Sequence, residues 1–125
     1  MSQPAPGFGS TRARILIVED EACLAMMLED LLRDAGNEVL KAARVHTALE
    51  LVESQRFDAA ILDINIAGKP VFPVADALRQ RDVPLMFTSG YGYKGLPDEY
   101  SAHPILQKPY GLEQLQQALL ALLRG

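Results

Sequence analysis

Cysteine is nearly absent from this chain: Cys23 is the single one in 125 residues, so no disulfide can close within it. One lone thiol suits a reducing compartment, the cytoplasm. A chain of this length needs no covalent staple, because it can bury roughly two-thirds of the surface its unfolded form exposes. Basic clusters are missing as well. The 12 Lys and Arg stand against 16 Asp and Glu, a formal net charge of −4, and no stretch offers a positive stripe, which argues against direct nucleic-acid binding. No apolar run approaches the ~20 residues of a membrane-spanning helix, so no membrane partner is expected. The opening MSQPAPGFGSTRAR has no apolar core of signal-peptide length. Its Pro, Gly and Ser content reads as a disordered lead-in over residues 1–11, ahead of one domain at 12–125. Histidine occurs twice, at His46 and His103, far apart in sequence, and both read as surface or loop positions rather than ligands.

What is present is alternation. RILIV (14–18) is a short β-branched apolar run, the mark of a buried strand. Leu24, Met27, Leu28, Leu31 and Leu32 then recur at helical spacing, with Asp20 fitting an N-cap and Gly36 a stop at C′. Cys23 falls beside that stripe as a partly buried thiol. EVLKAA (38–43) reads as a strand nearer an edge, Thr47 to Gln55 as a helix, and DAAILDI (58–64) as a strand closed by Asp63. A loop with Gly68 and Pro70 leads to a helix near Phe72–Arg81, where Pro73 suits the first turn. PLMFTS (84–89) and ILQ (105–107) are the last strands, separated by a Gly- and Pro-rich segment with room for one helical turn after Pro97. Leu112, Leu115, Leu119 and Leu122 share one face of a closing helix at 112–123, and Leu120 and Leu123 widen that face toward a partner or a homodimer. Five short apolar strands alternating with helices predict an α/β fold, a parallel sheet covered on both faces.

In such sheets the working crevice lies beyond the carboxyl ends of the strands. Glu19 and Asp20 end the first strand, Asp63 the third, Thr88, Ser89 and Gly90 the fourth, and Lys108 with Pro109 the fifth. Three carboxylates and one ammonium sum to −2. Each like-charge pair at about 4 Å costs on the order of 4 kcal/mol at an effective dielectric of 20, so the cluster should bind a divalent cation or raise a carboxyl pKa. With no Cys or His in the set, the ligands are all oxygen and Mg²⁺ is favoured over Zn²⁺. Taken singly, Glu19 and Asp20 are also what a helix N-terminus favours; the matching strand ends turn the balance toward a site. A strand-end aspartate can be a nucleophile for phosphoryl transfer when a metal, a cation and a hydroxyl receive the phosphate oxygens.

Four motifs in this order, VED (18–20), ILDIN (61–65), PLMFTSGY (84–91) and QKPY (107–110), resemble the receiver domains of two-component response regulators. The resemblance spans Arg14 to Arg124 and implies a flavodoxin-like, doubly wound five-stranded sheet of order 2-1-3-4-5. It also implies a phosphoryl group passing to Asp63 from a histidine kinase or a phosphotransfer protein, and a change in binding to a downstream protein. By the same resemblance Glu19, Asp20, Asp63 and the Asn65 backbone carbonyl would hold Mg²⁺. Ser89 would be the switch hydroxyl, with Thr88 pointing the other way, and Lys108 would meet the phosphoryl oxygens. The Lys108–Pro109 peptide would be cis, and Asn65 and Tyr91 would tune hydrolysis.

The chain departs from the usual pattern at Ile105, where an aromatic switch is customary, at Ala67, where proline is, and at Val71, where glycine is. PLMFTSGYG is similar to the signature of the FATGUY subgroup, whose members lack the aromatic switch and include stand-alone receivers and partners of HWE-type kinases. For that subgroup the expectation is a switch that orders residues 91–103, in a stand-alone or excised receiver without an output domain. Two other classes stay in view. An Asp-nucleophile phosphatase would want a second acid two residues beyond Asp63, where Asn65 stands. An interaction module independent of phosphorylation would need none of this chemistry.

Overall fold

The computed structural model describes residues 12–90, 97–100 and 102–123. The expectations placed on the 1–11 lead-in, on Tyr91 and on most of the 91–103 switch segment therefore lie outside the described residues. The elements run β1 (Arg14–Val18), α1 (Ala22–Asp34), β2 (Glu38–Ala42), α2 (Val45–Ser54), β3 (Ala59–Asp63), β4 (Asn65–Ile66), β5 (Lys69–Pro70) and α3 (Phe72–Gln80). Then come β6 (Leu85–Ser89), a 3₁₀ turn (Asp98–Tyr100), β7 (Ile105–Gln107) and α4 (Leu112–Leu123). The main sheet has the order β2-β1-β3-β6-β7 with every pair parallel. Numbered among themselves these five strands give 2-1-3-4-5, the flavodoxin-like topology expected.

Successive side chains of a strand face opposite sides, and here both sides are dry. Leu16, Val18, Ala60, Leu62, Leu85 and Phe87 pack toward α2 and α3, while Ile15, Ile17, Val39, Ile61 and Met86 pack toward α1 and α4. Burial on both faces is why the central strands read as continuous apolar runs. Each fully buried Ile, Leu or Phe contributes roughly 1.5–3 kcal/mol. Gly36 ends α1 at φ +94°, a conformation that disfavours a side chain. Its N–H donates to Arg33 O at 2.9 Å and the Asn37 N–H to Leu32 O at 3.1 Å, the paired bonds of a Schellman stop.

Several expectations need correction. Asp20 is not the N-cap of α1: Glu21 holds that position without a side-chain cap, because Asp20 turns into the mouth of the sheet instead. Met27 is 52% exposed and Cys23 is exposed, since the buried line of α1 is Ala25, Leu28 and Leu32 and both residues sit outside it. Residues 65–70 are not plain loop but a two-stranded hairpin, with Ala67 (φ +51°) and Gly68 (φ +83°) at its tip. Leu122 packs against the core as expected and Leu123 joins it, while Leu120 is half-buried outside both clusters and Leu112, expected on the core face, is 54% exposed.

The 3₁₀ turn after Pro97 is present as expected. It buries Tyr100, stacked on Phe72 at 5.5 Å and edge-on to Phe87 at 5.5 Å, with the Arg79 guanidinium 5.0 Å from its ring centre. Its hydroxyl bonds Asp76. His103 lies in a loop as expected, its ring tilted against that of Tyr100, and His46 is exposed. An aromatic ring thus lies beside Phe87 even though its strand partner is Ile105.

Candidate functional site

Backbone bonds continue past the strand ends and fix the residues just beyond them. The Glu19 N–H donates to Ala42 O (3.0 Å), Ile64 N–H to Thr88 O (3.0 Å), and Lys108 N–H to Ser89 O (2.8 Å). With the β1–β3 ladder, these bonds bring the ends of β1, β3, β6 and β7 to one mouth, whose lining includes Asp20, Asp63, Asn65, Ser89 and Lys108. Thr88, one residue before Ser89, is buried and is not part of that lining, as strand alternation requires. The Lys108–Pro109 peptide is cis.

The carboxylates converge. One oxygen from each of Glu19, Asp20 and Asp63 lies within 4.8 Å of the others. Lys108 Nζ reaches Asp63 Oδ2 at 2.8 Å and Glu19 Oε1 at 3.1 Å, so one ammonium bridges two acids. Each acid also accepts a backbone N–H: Glu19 Oε2 from Glu21 (3.1 Å), Asp63 Oδ1 from Asn65 (3.3 Å) and Asp20 Oδ2 from Ala67 (2.9 Å). Glu21, 3.9 Å from Lys108 Nζ and largely exposed, adds a fourth acid at the rim.

Burial decides the electrostatics. Glu19 is 3% exposed, and this desolvation pushes its carboxyl up to about 7 despite the bonds from Glu21 N–H and Lys108. Burial works against the Lys108 charge too, but its hydrogen bonds to Asp63 and Glu19 prevail and raise it to about 12. Tyr110 is driven up to about 12 by burial and then by the Glu19 charge. Its hydroxyl is buried with no hydrogen-bond partner among the described residues. An unsatisfied buried hydroxyl costs about 1–3 kcal/mol. Tyr110→Phe is therefore expected to leave the urea midpoint unchanged or raise stability by about 1 kcal/mol; a loss of that size would show that the hydroxyl is paired in solution.

The donor set suits Mg²⁺. Three hard oxygens converge with no sulfur or imidazole among them, and Lys108 alone cannot balance three carboxylates. Of the residues singled out at strand ends, Glu19, Asp20, Asp63, Asn65, Ser89 and Lys108 are brought to this mouth; Thr88 is buried away from it, and Tyr91 is outside the described residues. Sequence reasoning assigns no role to Glu21, the Ala67 N–H or Tyr110, and the structure brings all three to the site. Glu21 is visible as the next acid in VEDE, and Tyr110 as the last letter of QKPY.

The profile of the response regulator receiver domain matches residues 15–120. The chain belongs to the response regulator receiver domain family. Among curated relatives, the transcriptional regulatory protein PrrA of Mycobacterium tuberculosis is 36% identical over 123 residues, covering 93% of this chain and 52% of that protein. The receiver thus spans about half the length of the curated relatives it matches. Among solved structures, SdrG from Sphingomonas melonis Fr1 is 42% identical with a TM-score of 0.78, covering 88% of this chain and 95% of that one. TrrA from Thermotoga maritima, solved in complex with Mg(2+)-BeF, is 27% identical with a TM-score of 0.76 over 87% of this chain and 97% of that one. Receiver domains are phosphoacceptors of two-component systems, bind Mg²⁺ at an acidic pocket, and interact with histidine kinases or phosphotransfer proteins. No helix among the described residues of this receiver is long and apolar enough to cross a membrane.

Proposed function

We propose that this receiver takes a phosphoryl group onto Asp63, and that the modified mouth changes its binding to a downstream protein. The observation that carries the reading is the Lys108 ammonium bridging Asp63 and Glu19, with an Asp20 oxygen in the same cluster. An Asp63 oxygen attacks the donor phosphorus, the bond from phosphorus to the donor breaks, and the donor leaves with that electron pair. Lys108 holds the Asp63 carboxylate in place and is positioned to follow a phosphoryl oxygen. Ser89, at the lining beside it, offers a hydroxyl to another. Glu19, Asp20, Asp63 and the Asn65 carbonyl would hold Mg²⁺, which supplies positive charge to the phosphoryl oxygens.

The test is incubation with acetyl phosphate and Mg²⁺, then measurement of intact mass. One added phosphoryl group per chain is expected, and none when the metal is chelated. Continuous turnover of a small phosphomonoester would overturn the reading in favour of a phosphatase.

We place the phosphodonor, a histidine kinase (of HWE type on the FATGUY-like reading) or a phosphotransfer protein, on the face beside Lys108. Leu24, Met27, Pro109 and Tyr110 line a hollow there, and Met27 is one of three large apolar residues more than half exposed among the described residues. Met27→Glu is expected to slow transfer from a phosphohistidine donor about tenfold, the cost of losing a modest interface anchor. Uptake from acetyl phosphate should not change. Equal slowing with both donors would place the defect in the site and not in docking. The FATGUY-like reading rests on PLMFTSGYG and on Ile105 in β7.

A further inference from the structure

We propose that the Ala67 backbone N–H is the group that positions Asp20 for the cation, so that the β4–β5 hairpin sets the metal affinity of this receiver. The proposal rests on the metal reading above. Asp20 comes from the end of β1 and is exposed; the contact that holds it is a 2.9 Å hydrogen bond from the N–H of Ala67, 47 residues further along. That bond occupies Oδ2 and leaves Oδ1 for another partner.

The N–H is presented from a fixed ledge. Asn65 pairs with Pro70 and Ile66 with Lys69, so Ala67 and Gly68 form a two-residue turn. Both have positive φ, +51° and +83°, as the tightest hairpin turns demand. Alanine adopts that conformation only against its steric preference, so the surrounding structure must hold it. It does: Ile66 and Val71 are buried at the two ends of the hairpin, and the Val71 N–H donates to Ile64 O at 2.9 Å to close its base. A carboxylate that binds a metal generally needs such an outer partner to fix its orientation, and losing one weakens metal binding about 10–100-fold.

Two variants separate the side chain at position 67 from the turn and the N–H it presents. Ala67→Pro removes the N–H and cannot adopt positive φ; Ala67→Gly keeps the N–H and relieves the backbone. Calorimetric titration with Mg²⁺ on the full chain should show the proline variant binding at least about tenfold more weakly and the glycine variant within about twofold of wild type. The rate of acetyl phosphate uptake at saturating Mg²⁺ should stay within about threefold in both, because a positioning group alters the Mg²⁺ needed and not the transfer itself. Equal Mg²⁺ affinity in the proline variant and wild type would overturn the proposal. So would equal weakening by glycine, or a fall in the saturated rate that matches the fall in affinity. Wild type that binds no Mg²⁺ would overturn the metal reading itself, a result distinguishable from all of these.

Discussion

Asp63→Asn is expected to abolish phosphoryl uptake, with the intact mass after acetyl phosphate and Mg²⁺ the same as before. The amide keeps the volume and one acceptor of the carboxylate, so the Asn65 N–H can retain its partner. What it lacks is the nucleophilic oxygen. The substitution also removes one of three converging negative charges, so a cooperative melting transition should persist. Labelling of the variant at the wild-type rate would move the acceptor elsewhere and sink the assignment.

The second large effect concerns pH. Glu19 has a carboxyl near 7 in the folded receiver against an ordinary value of 4.5. A raised folded value means that the native state holds the proton more tightly than the unfolded chain. The stability gained from it is fully present below about 4.5 and is lost as pH rises through 7. The shift corresponds to on the order of 3 kcal/mol. Without metal, urea unfolding should therefore show a receiver less stable at pH 8 than at pH 5 by that order, and Glu19→Gln should flatten the difference. Mg²⁺ offsets the trend, because it binds the ionised acids. At 100 times its Kd it would return about 2.7 kcal/mol at pH 8, and its affinity should fall up to about tenfold per unit below pH 7. An identical pH profile in wild type and Glu19→Gln would contradict this account.

Much of the fold is legible in the chain because parallel strands buried on both faces write themselves as unbroken apolar runs, and β1, β3 and β6 all do so. Their ends are legible because an acid or a lysine after such a run has few reasons to be there. Three features are not. The partner of Asp20 is a backbone N–H, which every residue but proline carries, so no letter at position 67 announces it. The hairpin of β4 and β5 is two residues a side, too short for any periodicity. Met27 lies on the shoulder of the α1 stripe, where spacing alone cannot say whether the neighbouring sheet reaches that far.

Cys23 makes this receiver convenient to instrument. It is the single thiol, it is exposed, and it stands at the start of α1, four residues past Glu19. A maleimide dye or spin label will attach there alone, beside the mouth, without engineered cysteines or the removal of native ones. The same position defines what air can do to a preparation kept without reductant. The disulfide this leaves within a preparation of the chain alone is a pair of chains joined through Cys23 of α1.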